Sequence, residues 1–128
     1  MIAVLTHRSF VFLSFALLLG RANAADLPAL WAERLKSVVA VEYVTETEVD
    51  RRPTATMGTV IDNQGTIIIP GGAIDPRAAT WQLKDFKVYL PGEADSTPGD
   101  YIGQDAFTGW HFVRADAATR ARLTPITT

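Results

Sequence analysis

Cysteine is absent from this 128-residue chain, and histidine occurs only twice. Without cysteine there are no disulfides and no thiol chemistry, so an exported version of this chain must rest on its core alone. Zinc sites built on cysteine are excluded. A histidine cluster is excluded as well, because only His111 lies beyond the first 24 residues. An excess of positive charge is also missing: 12 Lys and Arg face 14 Asp and Glu, interspersed along the chain without a long run of either sign. Nucleic-acid binding needs a basic surface, so that class is disfavoured. The strongly apolar stretch 9–20 has twelve residues, against the ~20 that a membrane-crossing helix requires. There is no internal repeat and no low-complexity segment.

What is present at the start is a secretory leader. His7 and Arg8 form a basic n-region, 9–20 the apolar h-region, and Ala22-Asn23-Ala24 an A-x-A cleavage site. The expected cut after Ala24 leaves residues 25–128, and no cysteine flanks the site to carry a lipid anchor. Arg8 and Arg21 leave with the leader, so the formal net charge moves from −2 to −4. The remainder is long enough for one small domain. The expected location is the periplasm or the exterior, with no integral span after cleavage.

The periodicity then predicts a helix over 25–36. Asp26 can cap it and Pro28 suits its first turn. Leu27, Leu30, Trp31 and Leu35 recur at helical spacing and are expected to face the body of the domain. From 37 to about 114 the pattern is of short strands and turns. Strands are expected over 37–45, 54–61, 66–69, 83–90, 101–103 and 110–114. Residues 46–53 and 91–99 read as loops, and 62–65 as a turn with Gly65 able to take positive φ. In 83–90, Phe86, Val88 and Leu90 alternate with Asp85, Lys87 and Tyr89. Residues 116–123 suit a short helix capped by Asp116, followed by a polar tail. About six strands at this spacing favour an all-β antiparallel barrel or sandwich.

Two pieces then carry a family likeness. Ser37-Val38-Val39-Ala40-Val41 leads into a hairpin that reads Gly58-Thr59-Val60-Ile61-Asp62-Asn63-Gln64-Gly65-Thr66-Ile67-Ile68-Ile69-Pro70-Gly71-Gly72-Ala73. Later comes Tyr101-Ile102-Gly103-Gln104-Asp105-Ala106-Phe107-Thr108-Gly109-Trp110-His111. In this order they resemble the N-terminal half of the trypsin-like serine peptidases, most closely the bacterial HtrA-type periplasmic proteases. The likeness covers roughly 26–115. It implies a small antiparallel barrel like the first barrel of that family over 37–115, preceded by a short helix. It also implies that 116–128 lead toward a second barrel. On the family pattern Gly72 stands where the catalytic histidine belongs and Gly109 where the catalytic aspartate belongs. Glycine can neither accept a proton nor orient an imidazole, and a triad needs both functions. The nucleophile of the family sits in a Gly-x-Ser-Gly-Gly setting, and neither Ser37 nor Ser96 has one.

The remaining polar residues read as structural. His111 is a base with no identifiable nucleophile, set in a strand beside Trp110 and Phe112. The resemblance implies that Asp105 ties a turn, as aspartate in turns commonly does. Asp100 and Asp105 as a carboxylate pair, and Glu93, Asp95 and Asp100 as a calcium loop, are the weaker readings. EF-hand spacing is absent, and Pro98 interrupts the run. Gly71-Gly72 lacks the Lys-Ser/Thr of a phosphate loop. Trp31, Trp81 and Trp110 are expected in the core and at its rim.

The expected function is thus an exported, non-catalytic trypsin-like domain, a binding or scaffold module for a protein or peptide partner in the cell envelope. No catalytic, cofactor or metal residues are assigned. The alternative is the N-terminal part of a longer HtrA-like, PDZ-containing envelope protein. An enzyme of another class, using Asp100, Asp105 or His111, is the third possibility.

Overall fold

The structure, a computed structural model, describes residues 26–127. The expected leader, 1–24, lies outside the described residues. Six strands form the body: β1 (Val38–Glu46), β2 (Arg51–Val60), β3 (Thr66–Ile69), β4 (Leu83–Tyr89), β5 (Ser96–Gln104) and β6 (His111–Ala115). They close into an antiparallel barrel in the order β1-β2-β3-β6-β5-β4. A helix, α1, covers 26–35, and a single turn, α2 (Ala117–Arg120), follows β6. Short 3₁₀ turns occupy Gly71–Ala73 and Thr80–Gln82 in the long connection between β3 and β4. Among the described residues no helix is long and apolar enough to cross a membrane.

The barrel follows from strand alternation. Every second residue points inward, which places Val39, Val41 and Tyr43 of β1, Ile67 and Ile69 of β3, and Val113 and Ala115 of β6 in the core. These are β-branched, aromatic or small residues, the types that pack a pleated surface well. Leu83, Phe86 and Val88 of β4 are buried too, although Leu83 and Phe86 differ in parity. The register explains this. Glu42 pairs with Lys87 and Val44 with Lys84, so β4 carries one extra residue there. This β-bulge puts Asp85 at φ 53° and returns Leu83 to the inner face. Arg51 of β2 reaches across to the Asp85 carboxylate at 2.6 Å.

Several expected boundaries move. Residues 46–53 are not one loop: β1 runs to Glu46, β2 starts at Arg51, and only 47–50 turn between them. Residues 91–99 are a loop only to 95. β5 begins at Ser96 and contains Pro98 and Gly99, because strand pairing outweighs their low strand propensity. The piece expected as 101–103 is thus the end of a nine-residue strand. In α1, Leu27, Leu30, Trp31 and Leu35 are exposed. Their spacing marks an amphipathic helix without marking a buried one. Trp81, at 70 % exposure, and Trp31, at 66 %, are not core residues either.

The C-terminal end matches its reading at α2, where the Asp116 carboxylate accepts the Thr119 N–H at 2.8 Å. Beyond it, Leu123 packs against the core and the Ile126 N–H donates to the Val60 carbonyl at 2.8 Å.

Candidate functional site

The register brings three strand ends together. His111 at the start of β6 pairs with Ile69 at the end of β3 and with Gln104 at the end of β5. The connections leaving those ends, 70–79 and 105–110, must therefore emerge side by side. Pro70 cannot donate to the ladder, and it turns the chain into the 3₁₀ turn at Gly71–Ala73. Gly71 there lies against Gly109: a Cβ at position 71 would sit 2.6 Å from the Gly109 carbonyl oxygen. Gly109 itself holds φ +71°, the left-handed region that glycine adopts freely. At Gly72 a Cβ would meet nothing within 4 Å.

The second connection is tied by its own polar groups. The Asp105 carboxylate accepts the Thr108 N–H at 2.7 Å and the Thr108 hydroxyl at 2.6 Å. The Gly109 N–H donates to the Asp105 carbonyl, the Asp105 N–H to the Trp110 carbonyl, and the Gln104 amide to the Gly109 carbonyl. The Thr108 hydroxyl bond, with its backbone N–H, holds the Asp105 carboxyl below the ordinary carboxylate range. These bonds occupy Asp105 in holding the turn. Asp100 lies on β5 opposite Arg114, away from that turn, so the two carboxylates are not a pair. Glu93 is ion-paired with Arg122. Among the described residues no group of three or more His, Asp or Glu is placed to hold a metal ion.

His111 points the other way, into the barrel. It is 3 % exposed, and its Nδ1 shares a 2.7 Å hydrogen bond with the Tyr101 hydroxyl. Burial pushes the imidazole below its ordinary range and the Tyr101 phenol above. The pair ends a row of rings. Tyr43 stacks on Phe86 at 5.6 Å between centroids, Phe86 on Tyr101 at 5.0 Å, and Tyr101 leans on His111 at 5.9 Å. The structure thus brings the Gly71-Gly72 turn to Gly109 and leaves His111 on the inner side of β6. The polar side chain nearest Gly109 is the Gln104 amide, which donates to its carbonyl.

One feature had no sequence reading. Past Gly72 the same connection forms a wall of a groove of about 580 Å³, with Ala73, Asp75, Arg77, Ala78 and Gln82 on one side and Tyr43, Thr45, Arg52 and Thr54 on the other. That size falls within the roughly 300–1,000 Å³ of ligand sites. No motif announces it, because its walls come from two hairpin strands and a loop some 20 to 30 residues on. Tested against protein-family models and against curated proteins, the chain matches none.

Proposed function

We propose that this chain is an exported trypsin-like barrel with no catalytic role, serving as a binding or scaffold module for a protein or peptide partner in the cell envelope. One observation carries the reading. Gly71, the neighbour of the Gly72 that the resemblance assigns to the histidine position, lies against Gly109, which it assigns to the aspartate position. Two loops that would present a base and its orienting carboxylate converge, and both present glycine. A closed six-strand antiparallel barrel supports the same reading. The histidine within reach of those loops, His111, is buried against Tyr101 and faces away from them. Without a base beside a nucleophile, acyl transfer has no general-base step. The test is hydrolysis of unfolded casein by the purified protein. The reading expects no turnover. Turnover that His111→Ala abolishes overturns it.

A second reading has its own support. Phe107 at 99 % exposure, Ile102 and Trp110 present apolar surface around the β5–β6 connection, as a barrel does when it normally packs on another. On that reading the chain is part of a longer HtrA-like, PDZ-containing envelope protein. The intact mass of the native protein from its own cells decides it. A mass equal to residues 25–128 contradicts the longer protein, and a larger mass supports it.

A further inference from the structure

The inner face of the β1–β2 hairpin changes chemistry along its length. Val39 and Val41 of β1 are in the core, and alternation puts Tyr43 and then Thr45 on the same face. The register sets Thr54 opposite Tyr43 and Arg52 opposite Thr45, so these four side chains share that face. Past Val41 the face thus turns from aliphatic to hydroxyl-bearing, and there it forms the floor of the groove of about 580 Å³. The main-chain groups of the floor are already spent. The Val60 N–H donates to the Ser37 carbonyl on the β1 side. The register runs unbroken from Thr59 to Arg51, so alternation gives Thr54 and Arg52 the same phase, bonded to Tyr43 and Thr45. The floor therefore presents side chains alone.

Several of those side chains have bonding capacity left. Thr45 is half-buried, and its hydroxyl has no partner among the described residues. Gln82, on the facing connection, uses its Oε1 to accept the Ala79 N–H at 2.8 Å, which leaves its Nε2 as a donor. Two ion pairs flank the groove, Arg77 with Asp75 at 3.2 Å on the connection and Arg52 with Asp50 at 3.3 Å on the hairpin. Each guanidinium keeps further N–H donors and each carboxylate further lone pairs. Val49, Ala73 and Ala78 add small apolar surfaces.

This lining selects among ligands. An anion has to compete with Asp50 and Asp75 for the arginines, and a cation with the arginines for the carboxylates. A neutral ligand joins the pairs without breaking them. A peptide strand is held chiefly by main-chain bonds in register, and the floor has none to give. A sugar ring suits what is there. Its hydroxyls both donate and accept, neighbouring hydroxyls match the fork of a carboxylate or guanidinium, and its C–H faces suit valine and alanine. We propose that the groove between the β1–β2 hairpin and residues 73–82 binds a short neutral oligosaccharide, held by the Thr45 hydroxyl, the Gln82 amide and the two ion pairs. This goes beyond the binding-module reading and does not depend on it.

The test is an NMR titration of the ¹⁵N-labelled protein with four neutral trisaccharides: maltotriose, cellotriose, mannotriose and the trimer of N-acetylglucosamine. Trigalacturonate serves as the anionic probe, the glucosamine trimer as the cationic one, and triserine as a neutral peptide of similar size. The expected result is that at least one neutral trisaccharide saturably shifts the Thr45 and Thr54 amides and the Gln82 side-chain amide, and binds more tightly than the other three probes. Thr45→Val keeps the shape and removes the hydroxyl, so it should weaken that binding about fivefold, the scale of one hydrogen bond. Thr45→Ser restores the hydroxyl and should restore the affinity. Gln82→Glu keeps the acceptor for Ala79, removes the donor and should weaken binding as well. Four neutral trisaccharides that leave these amides unmoved overturn the proposal. So does tighter binding by trigalacturonate, the glucosamine trimer or triserine, or an affinity that Thr45→Val leaves unchanged. Each of these outcomes leaves the binding-module reading standing, because that reading is tested by proteolysis and not by this groove.

Discussion

At His111 a buried imidazole meets one hydroxyl, and pH dependence follows from that contact. Its folded pKa lies below the ordinary value of 6.5 because burial disfavours the charged ring. The unfolded chain therefore takes the proton first. The stability that comes from keeping the ring neutral is complete above about pH 6.5 and is lost as pH falls toward the folded pKa. Urea midpoints measured from pH 7 to pH 5 should decline, and His111→Phe should flatten that decline. The same variant leaves the Tyr101 hydroxyl unpaired, at a cost of about 1 kcal/mol at neutral pH. Asp105 has the opposite sign. Its folded pKa is depressed first by the Thr108 hydroxyl bond, so its contribution is present at neutral pH and lost as pH falls through the carboxylate range. In Thr108→Ala the Asp105 carboxyl should titrate closer to the ordinary value, as read by NMR. The glycines separate cleanly. Gly71→Ala drives a Cβ into the Gly109 carbonyl and should destabilise by ~1–3 kcal/mol, the scale of overpacking. Gly72→Ala meets open space and should leave thermal stability close to that of the unsubstituted protein.

Among the elements, β3 and β6 carry the barrel's centre. Ile67 is fully buried between neighbours on both sides, and Ile67→Ala should cost ~2–5 kcal/mol in urea unfolding, the range for large-to-small core changes. β3 was legible in the sequence because Thr-Ile-Ile-Ile sits between a Gly65 turn and Pro70, both of which mark ends by backbone geometry. The inner row of β4 was legible for Phe86 and Val88, and the same alternation reaches Leu90 just past the strand's end. Leu83 was not, since a bulge shifts parity through a pairing partner and leaves no trace in the strand's own pattern. The starts of β2 and β5 hid behind Arg51-Arg52-Pro53 and behind Pro98-Gly99. Local preference there disfavours a strand, and only the long-range partners β1, β4 and β6 override it. In α1 the periodicity was readable but the exposure was not, because a 3.6-residue repeat says which side is apolar and nothing about what meets it. The meeting of Gly71 with Gly109 had no sequence signal, because it joins two connections some 40 residues apart that only the β3–β6 pairing brings together.

For the whole molecule, a closed barrel holds two glycine-bearing loops together, and on the proposed reading these are the loops that carry base and carboxylate in a trypsin-like peptidase. On the proposed reading such a molecule holds a protein or peptide partner without cutting it. Both halves of that account can be read in one sample. The ¹⁵N-labelled protein is titrated with peptides from unfolded casein, and the peptides are followed by mass spectrometry through the same hours. The account predicts saturable amide shifts with every peptide recovered at full length. Cleaved peptides appearing in step with the folded protein, and lost with His111→Ala, would contradict it.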